Sequence, residues 1–365
     1  MSVQFIDFSR QNEVIKPEVD AGWAAVIAKS AFIMGPQVKV FEEEFARYCG
    51  VKYALGVNSG TDALYLALSA LGIGPGDEVV LPTHTFIATA LCVSYTGAAV
   101  KFVDVEEVTY NIDPVELARV VTKKTKAIIP VHLYGQMANM DEIKAIADKN
   151  GIAILEDACQ AHGARYKGVR SGAVGNAGCF SFYPTKGLGG WGDGGAVITN
   201  DDKIKHMVEM LRDYGRIDRY CHKMKGFNSR LDTMQAVVLS AKLKHLDEWN
   251  RMRQAIAAVY AVELARIGVA VPKTAPDRDH VYQTYAIRVK DRAKVMEGLK
   301  AKGIPSLIHY PIPIHLQEAY KDAGYKAGDF PVSEKIAAEI LSLPLFPHMT
   351  ADQVKEVVGA LKESL

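Results

Sequence analysis

The chain has almost no net charge: 43 lysines and arginines stand against 42 aspartates and glutamates in 365 residues, a formal +1. That removes any net-charge ground for binding nucleic acid or an anionic membrane, and neither partner is expected. Long apolar runs are lacking as well. The stretch AAVIAKSAFIM is broken by Lys29, well short of the roughly 18 to 20 residues of a membrane span. The opening MSVQFIDFSRQNEV has no apolar h-region, which predicts no secretory signal. Cysteines are few, odd in number and scattered (Cys49, Cys92, Cys159, Cys179, Cys221), with no CxxC pair. A disulfide framework and a zinc knuckle are therefore excluded, and a reducing cytoplasm is expected. Cys159 and His162 have a metal-compatible i, i+3 spacing but no further ligands beside them, so no metal is expected. Internal repeats and low-complexity segments are absent too.

What is present is enough apolar residue, 49%, to bury substantial cores. At this length a large domain and a smaller one are expected. From about residue 53 to 200, short apolar runs alternate with helical patterns: YALGV, helix 61–71, EVVLP, helix 86–96, VKFVDV, helix 114–121, KAIIPVHL, helix 140–149, IAILE. This rhythm predicts an α/β fold with a mostly parallel central sheet flanked by helices. Residues 231–266 read as one kinked helix or two, linking the domains. The boundary is drawn at 245: residues 1–245 form the N-terminal segment and large domain, and 246–365 the linking helix and a small α+β domain. In the latter, YQTYAIRV and SLIHYP are predicted strands. Helices are predicted at 291–302, near 333–341 and at 350–363, the last capped by Thr350.

Two residues carry the chemistry. Asp157 ends the strand-like run IAILE, at the strand end where open α/β sheets bind ligands. Lys186 follows the aromatic run FSFYPT and precedes GLGGWGDGG, surroundings that lower a lysine pKa and free an amine nucleophile. Together they suggest a pyridoxal phosphate site; taken singly, Lys186 could be a solvated surface residue and Asp157 a helix N-cap. Gly187, Gly189 and Gly192 satisfy G-x-G-x-x-G, but they run into the strand-like GAVITN rather than a helix, so the dinucleotide reading fails. Ser59, Gly60 and Thr61 open a helix and offer either a phosphate site or a simple cap. Phe86 could stack on an aromatic ring or fill the core. Asn228 and Arg230 stand just before the long helical stretch. Arg230 could bind substrate or pair with Asp232, and His309 and Tyr310, in the proline-rich HYPIPIHL, could meet a ligand or be structural.

The ordered motifs FIDFSRQ, FIMGP, NSGTDAL, GDEVVLPTHTFIATA, EDACQAHGA, SFYPTKGLGGWGDGGA and GFNSRLDTMQA resemble those of fold-type I pyridoxal phosphate enzymes. The resemblance is specifically to the DegT/DnrJ/EryC1/StrS nucleotide-sugar aminotransferases, over nearly the whole chain. It implies that Lys186 carries pyridoxal 5'-phosphate covalently, that Asp157 keeps the pyridine nitrogen protonated, and that Gln160 meets the ring hydroxyl. Phe86 would stack on the ring, while Ser59, Gly60, Thr61 and Ser181 hold the phosphate. Asn228 would reach that phosphate from the neighbouring subunit of a homodimer whose sites lie at the interface. Tyr183, Arg230, His309, Tyr310 and the FIMGP loop would contact the sugar nucleotide, with Arg230 and His309 offering charge-assisted hydrogen bonds. The resemblance further implies ping-pong chemistry, with L-glutamate loading the amine as pyridoxamine 5'-phosphate and a nucleotide-linked keto sugar receiving it. The stretch 223–250 with 309–316 looks most like members that aminate C3 of a dTDP- or UDP-linked 3-keto sugar. The alternatives are amination at C4 of a nucleotide-linked 4-keto sugar, or a pyridoxal-dependent sugar dehydratase, although the related dehydratases carry histidine at the lysine position.

Overall fold

A computed structural model of the chain describes residues 3–365. Two helices precede the first strand: α1 (Ser9–Lys29) and α2 (Pro36–Cys49), the latter opened by a proline at its first position. The alternating part then runs β1 (Tyr53–Val57), α3 (Gly60–Ala70), β2 (Glu78–Pro82), α4 (Ala88–Thr96), β3 (Ala99–Val103), α5 (Pro114–Val120), β4 (Thr125–Ile128), α6 (Met140–Asn150) and β5 (Ala153–Asp157). A two-stranded hairpin, β6 (Arg165–Tyr166) and β7 (Val169–Arg170), leads to β8 (Ala177–Ser181), β9 (Gly195–Thr199) and α7 (Asp202–Leu211).

Seven strands form one sheet in the order β1-β9-β8-β5-β4-β2-β3. Pairing is parallel from β8 through β3, and antiparallel where β9 joins β8 and β1. β5, β8 and β9 are almost wholly buried, as continuous apolar runs covered on both faces must be. Leu64, Leu66, Leu68 and Phe102 pack on one side, and on the other Phe41 and Phe45 of α2 interlock with Phe180 and Phe182. The aspartate at the end of β5 pairs with Cys179 of β8, so the carboxylate emerges beside the segment that carries Lys186.

The stretch 231–266 is two helices, α8 (Thr233–Leu243) and α9 (Leu246–Arg266). Beyond them lie β10 (Tyr285–Arg288), α10 (Arg292–Ala301), α11 (Pro331–Glu339), β11 (Ile340–Leu343) and α12 (Ala351–Ser364). Their core joins Tyr260, Tyr285, Leu299, Leu341 and Val357, and Val3 packs into it from the other end of the chain. Thr350 caps α12 in a full capping box with Gln353.

Two predicted elements differ. SLIHYP makes only a bridge from Leu307 to Ser342, because Pro311 and Pro313 lack the N–H groups a ladder needs. The strand that does pair with β10 is β11, ILSL. Its four buried residues adopt an extended conformation where the sequence pattern favoured the end of a helix. No described helix is long and apolar enough to cross a membrane.

Candidate active site

The C-terminal ends of β2, β4, β5 and β8 converge on a cavity of about 500 Å³. Lining it are Ser59, Gly60, Thr61, Phe86, Asp157, Gln160, Ser181, Tyr183, Lys186, His309 and Tyr310, so the structure gathers in one place all but two of the individual residues assigned a role from the sequence, the FIMGP loop standing apart. The exceptions are Asn228 and Arg230.

Asp157 is 6% exposed, and its carboxylate is held from two sides. The Thr89 hydroxyl donates to Oδ2 at 2.9 Å and the Cys159 backbone N–H to Oδ1 at 3.2 Å. Thr85 in turn meets Thr89 at 3.1 Å. A carboxylate fixed this way cannot swing to follow a partner; the partner must come to it. Burial pushes the Lys186 ammonium below the ordinary lysine range, with Cys159 and Asp157 opposing the shift. Its backbone N–H closes a turn onto the Tyr183 carbonyl at 2.8 Å. Behind it, the glycine-rich turn is held by α8: Gln235 accepts from the Trp191 N–H at 2.8 Å, and Lys242 Nζ donates to the Gly189 carbonyl at 2.7 Å.

Ser59 is the N-cap of α3, its hydroxyl oxygen accepting from the Asp62 N–H at 3.1 Å. Capping leaves the hydroxyl proton and the first N–H groups of the helix for an anion. A Cβ placed on Gly60 would lie 2.6 Å from Ser181 Cβ, so α3 approaches the end of β8 as closely as only glycine allows. Gln160 accepts from the Tyr134 N–H at 2.9 Å through Oε1 and donates from Nε2 to the Tyr310 hydroxyl at 3.2 Å. Phe86 is 52% exposed and precedes α4 instead of lying in it; its ring faces the cavity and touches Tyr310 at 5.5 Å between centroids.

His309 Nδ1 meets Ser342 Oγ at 2.8 Å. Burial, seconded by the Lys186 charge, pulls its pKa down to about 4. At neutral pH it is an uncharged imidazole, so the charged hydrogen bond expected of it from sequence gives way to a neutral one. Arg230 is turned away from the cavity, paired with Asp213 at 2.9 Å and set over the Tyr214 ring, while Asp232 is not its partner. Asn228 is exposed and bridges to Asp213, also outside. Phe32, Ile33 and Met34 of the FIMGP loop are exposed and lie off the cavity of their own chain.

Sequence reasoning missed the residues that hold the others. Thr85 and Thr89 both lie in THTFIATA, but Thr85 stands in the bend before α4 and Thr89 inside it, so no helical spacing rule linked them. Tyr134, His84 and Gln283 carried no signal either. The Gln283 amide donates to the Thr185 carbonyl at 2.9 Å, next to the lysine.

The sequence pattern of the DegT/DnrJ/EryC1/StrS aminotransferase family matches residues 14–362. The chain is 47% identical over 362 residues to a dTDP-3-amino-3,4,6-trideoxy-alpha-D-glucose transaminase of Streptomyces venezuelae, covering 99% of this chain and 96% of that protein. It is 43% identical over 359 residues to a UDP-2-acetamido-2-deoxy-3-oxo-D-glucuronate aminotransferase of Pseudomonas aeruginosa, covering 98% and 99%. The crystal structure of S. venezuelae DesV in complex with a ketimine intermediate superimposes with a TM-score of 0.96 at 47% identity, covering 99% of this chain and 98% of that one.

Proposed function

The chain belongs to the DegT/DnrJ/EryC1/StrS aminotransferase family, and on that premise we propose that it moves an amino group from L-glutamate to C3 of a dTDP- or UDP-linked 3-keto sugar. That it is a pyridoxal-phosphate-dependent aminotransferase follows from the family and its relatives. The C3 assignment is supported by relatives whose names specify 3-amino or 3-oxo sugars. The observation that carries the chemistry is the cavity itself, with Asp157 at the end of β5 and Lys186 in the turn that follows its neighbour β8.

The residues present fit the cofactor. A helix N-terminus with a close-packed glycine suits a phosphate, a fixed carboxylate suits a protonated ring nitrogen, and a buried lysine of lowered pKa suits covalent attachment. When bound, pyridoxal 5'-phosphate would supply an electron-accepting ring that acidifies the Cα–H of a bound amine. Asp157 would keep the ring nitrogen protonated, each unit of raised ring pKa being worth about 1.4 kcal/mol. Lys186 would hold the cofactor at rest and, as a free amine at Nζ, would move the proton that transfer requires. Phe86 supplies a ring face, Gln160 an N–H toward the ring hydroxyl, and Ser59, Gly60, Thr61 and Ser181 the phosphate donors. Tyr183, His309 and Tyr310 orient the sugar nucleotide.

Asn228 and Arg230 act, in this reading, in the cavity of a second copy, so that a homodimer shares its two sites. Their place outside their own cavity supports this, as does the exposed run Phe32, Ile33 and Met34. Residues 1–245 serve as the cofactor-binding domain and 246–365 as the smaller one. Five free cysteines accord with a reducing cytoplasm. The test is a side-by-side assay of 3-keto and 4-keto sugars on one nucleotide with glutamate, the product linkage read by NMR. Amination at C3 is expected; efficient amination at C4 alone refutes the regiochemistry, and loss of water without amine transfer refutes the class.

A further inference from the structure

We propose that Tyr134 and His84, neither of which lines the cavity, are positioning residues that lock Gln160 and the 309–313 segment into a single arrangement. The proposal rests on the reading of that segment as the sugar-nucleotide side of the site.

Tyr134 is buried and held at φ 58°, ψ 3°, a left-handed conformation that a bulky residue rarely adopts. That conformation directs its backbone N–H at Gln160 Oε1, 2.9 Å away. With Oε1 committed, the amide has one orientation left: Nε2 faces Tyr310 and donates to its hydroxyl at 3.2 Å. The Tyr310 hydroxyl therefore accepts on the Gln160 side and keeps its own proton for an acceptor elsewhere. Burial raises the Tyr310 pKa, so at neutral pH that proton is in place.

The Tyr134 hydroxyl does a second job. It donates to the carbonyl oxygen of His309 and accepts from His84 Nε2 at 3.0 Å. Burial pulls the His84 pKa down to about 4, so the ring is neutral, and the bond requires its Nε2–H tautomer. Nδ1 is then a lone pair buried without a partner, a desolvation cost that packing alone would not select. The far end of the segment is tied separately. Thr83 accepts from the Ile314 N–H at 2.9 Å and meets His315 Nδ1 at 2.7 Å, while His315 Nε2 meets Glu334 at 3.1 Å. Consecutive residues after β2 thus fasten both ends of residues 309–316, and one left-handed tyrosine relates the near end to the glutamine facing the cofactor.

Tyr134→Phe removes the hydroxyl while keeping the backbone N–H. Hydrogen exchange at Leu307, the near-end amide that is bonded to the Ser342 carbonyl at 3.2 Å, should rise about tenfold, the share of one hydrogen bond, with 314 and 315 unchanged because Thr83 still holds them. KM for the nucleotide keto sugar should rise by about the same factor. Amine loading from glutamate, read from cofactor absorbance, should stay within about twofold of wild type. Should that variant fail to fold, His84→Phe, which removes only the donor to Tyr134, carries the same comparison. Wild-type exchange at Leu307 overturns the proposal, and so does a general rise in exchange with no change in sugar KM. The exchange measurement decides the matter even where the wild-type protein takes no amino group from glutamate, a result that would sink the proposed function instead.

Discussion

Alanine at Gly60 would place a Cβ 2.6 Å from Ser181 Cβ, 3.0 Å from Cys159 Sγ and 3.1 Å from Ser181 Cα. Carbon atoms in contact sit about 3.5–4.0 Å apart, so roughly an ångström must open between the start of α3 and the end of β8. The atoms in the way belong to a β-strand end and to the residue two after Asp157, neither a flexible tip that can step aside. Overpacking of this kind costs about 1–3 kcal/mol of stability. The functional cost should be larger, because α3 and Ser181 hold the same phosphate in the proposed site, and an ångström of misplacement can cost about a hundredfold in rate. Gly187→Ala is the internal control. It adjoins Lys186 itself, yet its Cβ would find nothing closer than Gln283 Oε1 at 3.5 Å, an ordinary contact, and its φ lies outside the left-handed range. Cofactor affinity by absorbance titration and kcat by coupled assay should fall sharply for Gly60→Ala and stay near wild type for Gly187→Ala. Gly60→Ala protein that binds cofactor within about twofold of wild type would refute the close-packed phosphate cradle. Equal losses in both variants would refute the steric reasoning.

Lys186→Ala should abolish turnover, and borohydride should fix the cofactor of wild-type protein to the peptide containing Lys186; turnover at the wild-type rate would end the covalent reading. Mixing inactive Lys186→Ala and Asn228→Ala subunits should restore activity, because one hybrid site keeps both residues. No recovery, with subunit exchange verified by mass spectrometry, would count against a shared site. Burial lowers the Lys242 pKa from 10.5 to about 8. Between those values the unfolded chain binds a proton the folded one has released, so this residue makes stability rise with pH across that window, by about 3 kcal/mol in all. Lys242→Met should remove that slope in denaturant titrations from pH 7 to 11, and an unchanged slope would show that Lys242 titrates normally.

The legible parts of this protein are those where a local pattern has one physical solution. The apolar run IAILE, too short for a free-standing helix, reads as a buried strand, which sets Asp157 at its end. Lys186 was marked by aromatics before it and glycines behind. Illegible were the residues whose meaning is set by distant partners. Tyr134 reaches His309 across 175 positions and Thr83 reaches His315 across 232, and no spacing rule spans such distances. β11 was hidden for a related reason: ILSL is extended because Tyr285 to Arg288 lie beside it. Asn228 and Arg230 stood out in the sequence, but a single chain gives them no place in the cavity.

Four successive residues after β2 each answer to a different quarter of the molecule. Thr83 holds His315, His84 holds Tyr134, Thr85 holds the threonine that grips Asp157, and Phe86 faces Tyr310. A connection between a strand and a helix ordinarily absorbs insertions and deletions without harm. Here one residue added or removed would rotate every side chain into its neighbour's place and break all four attachments together, much as a slipped register turns a strand inside out. Chimeras between this enzyme and its relatives should therefore keep the length of this link fixed even where its letters change, and loop grafting should begin elsewhere.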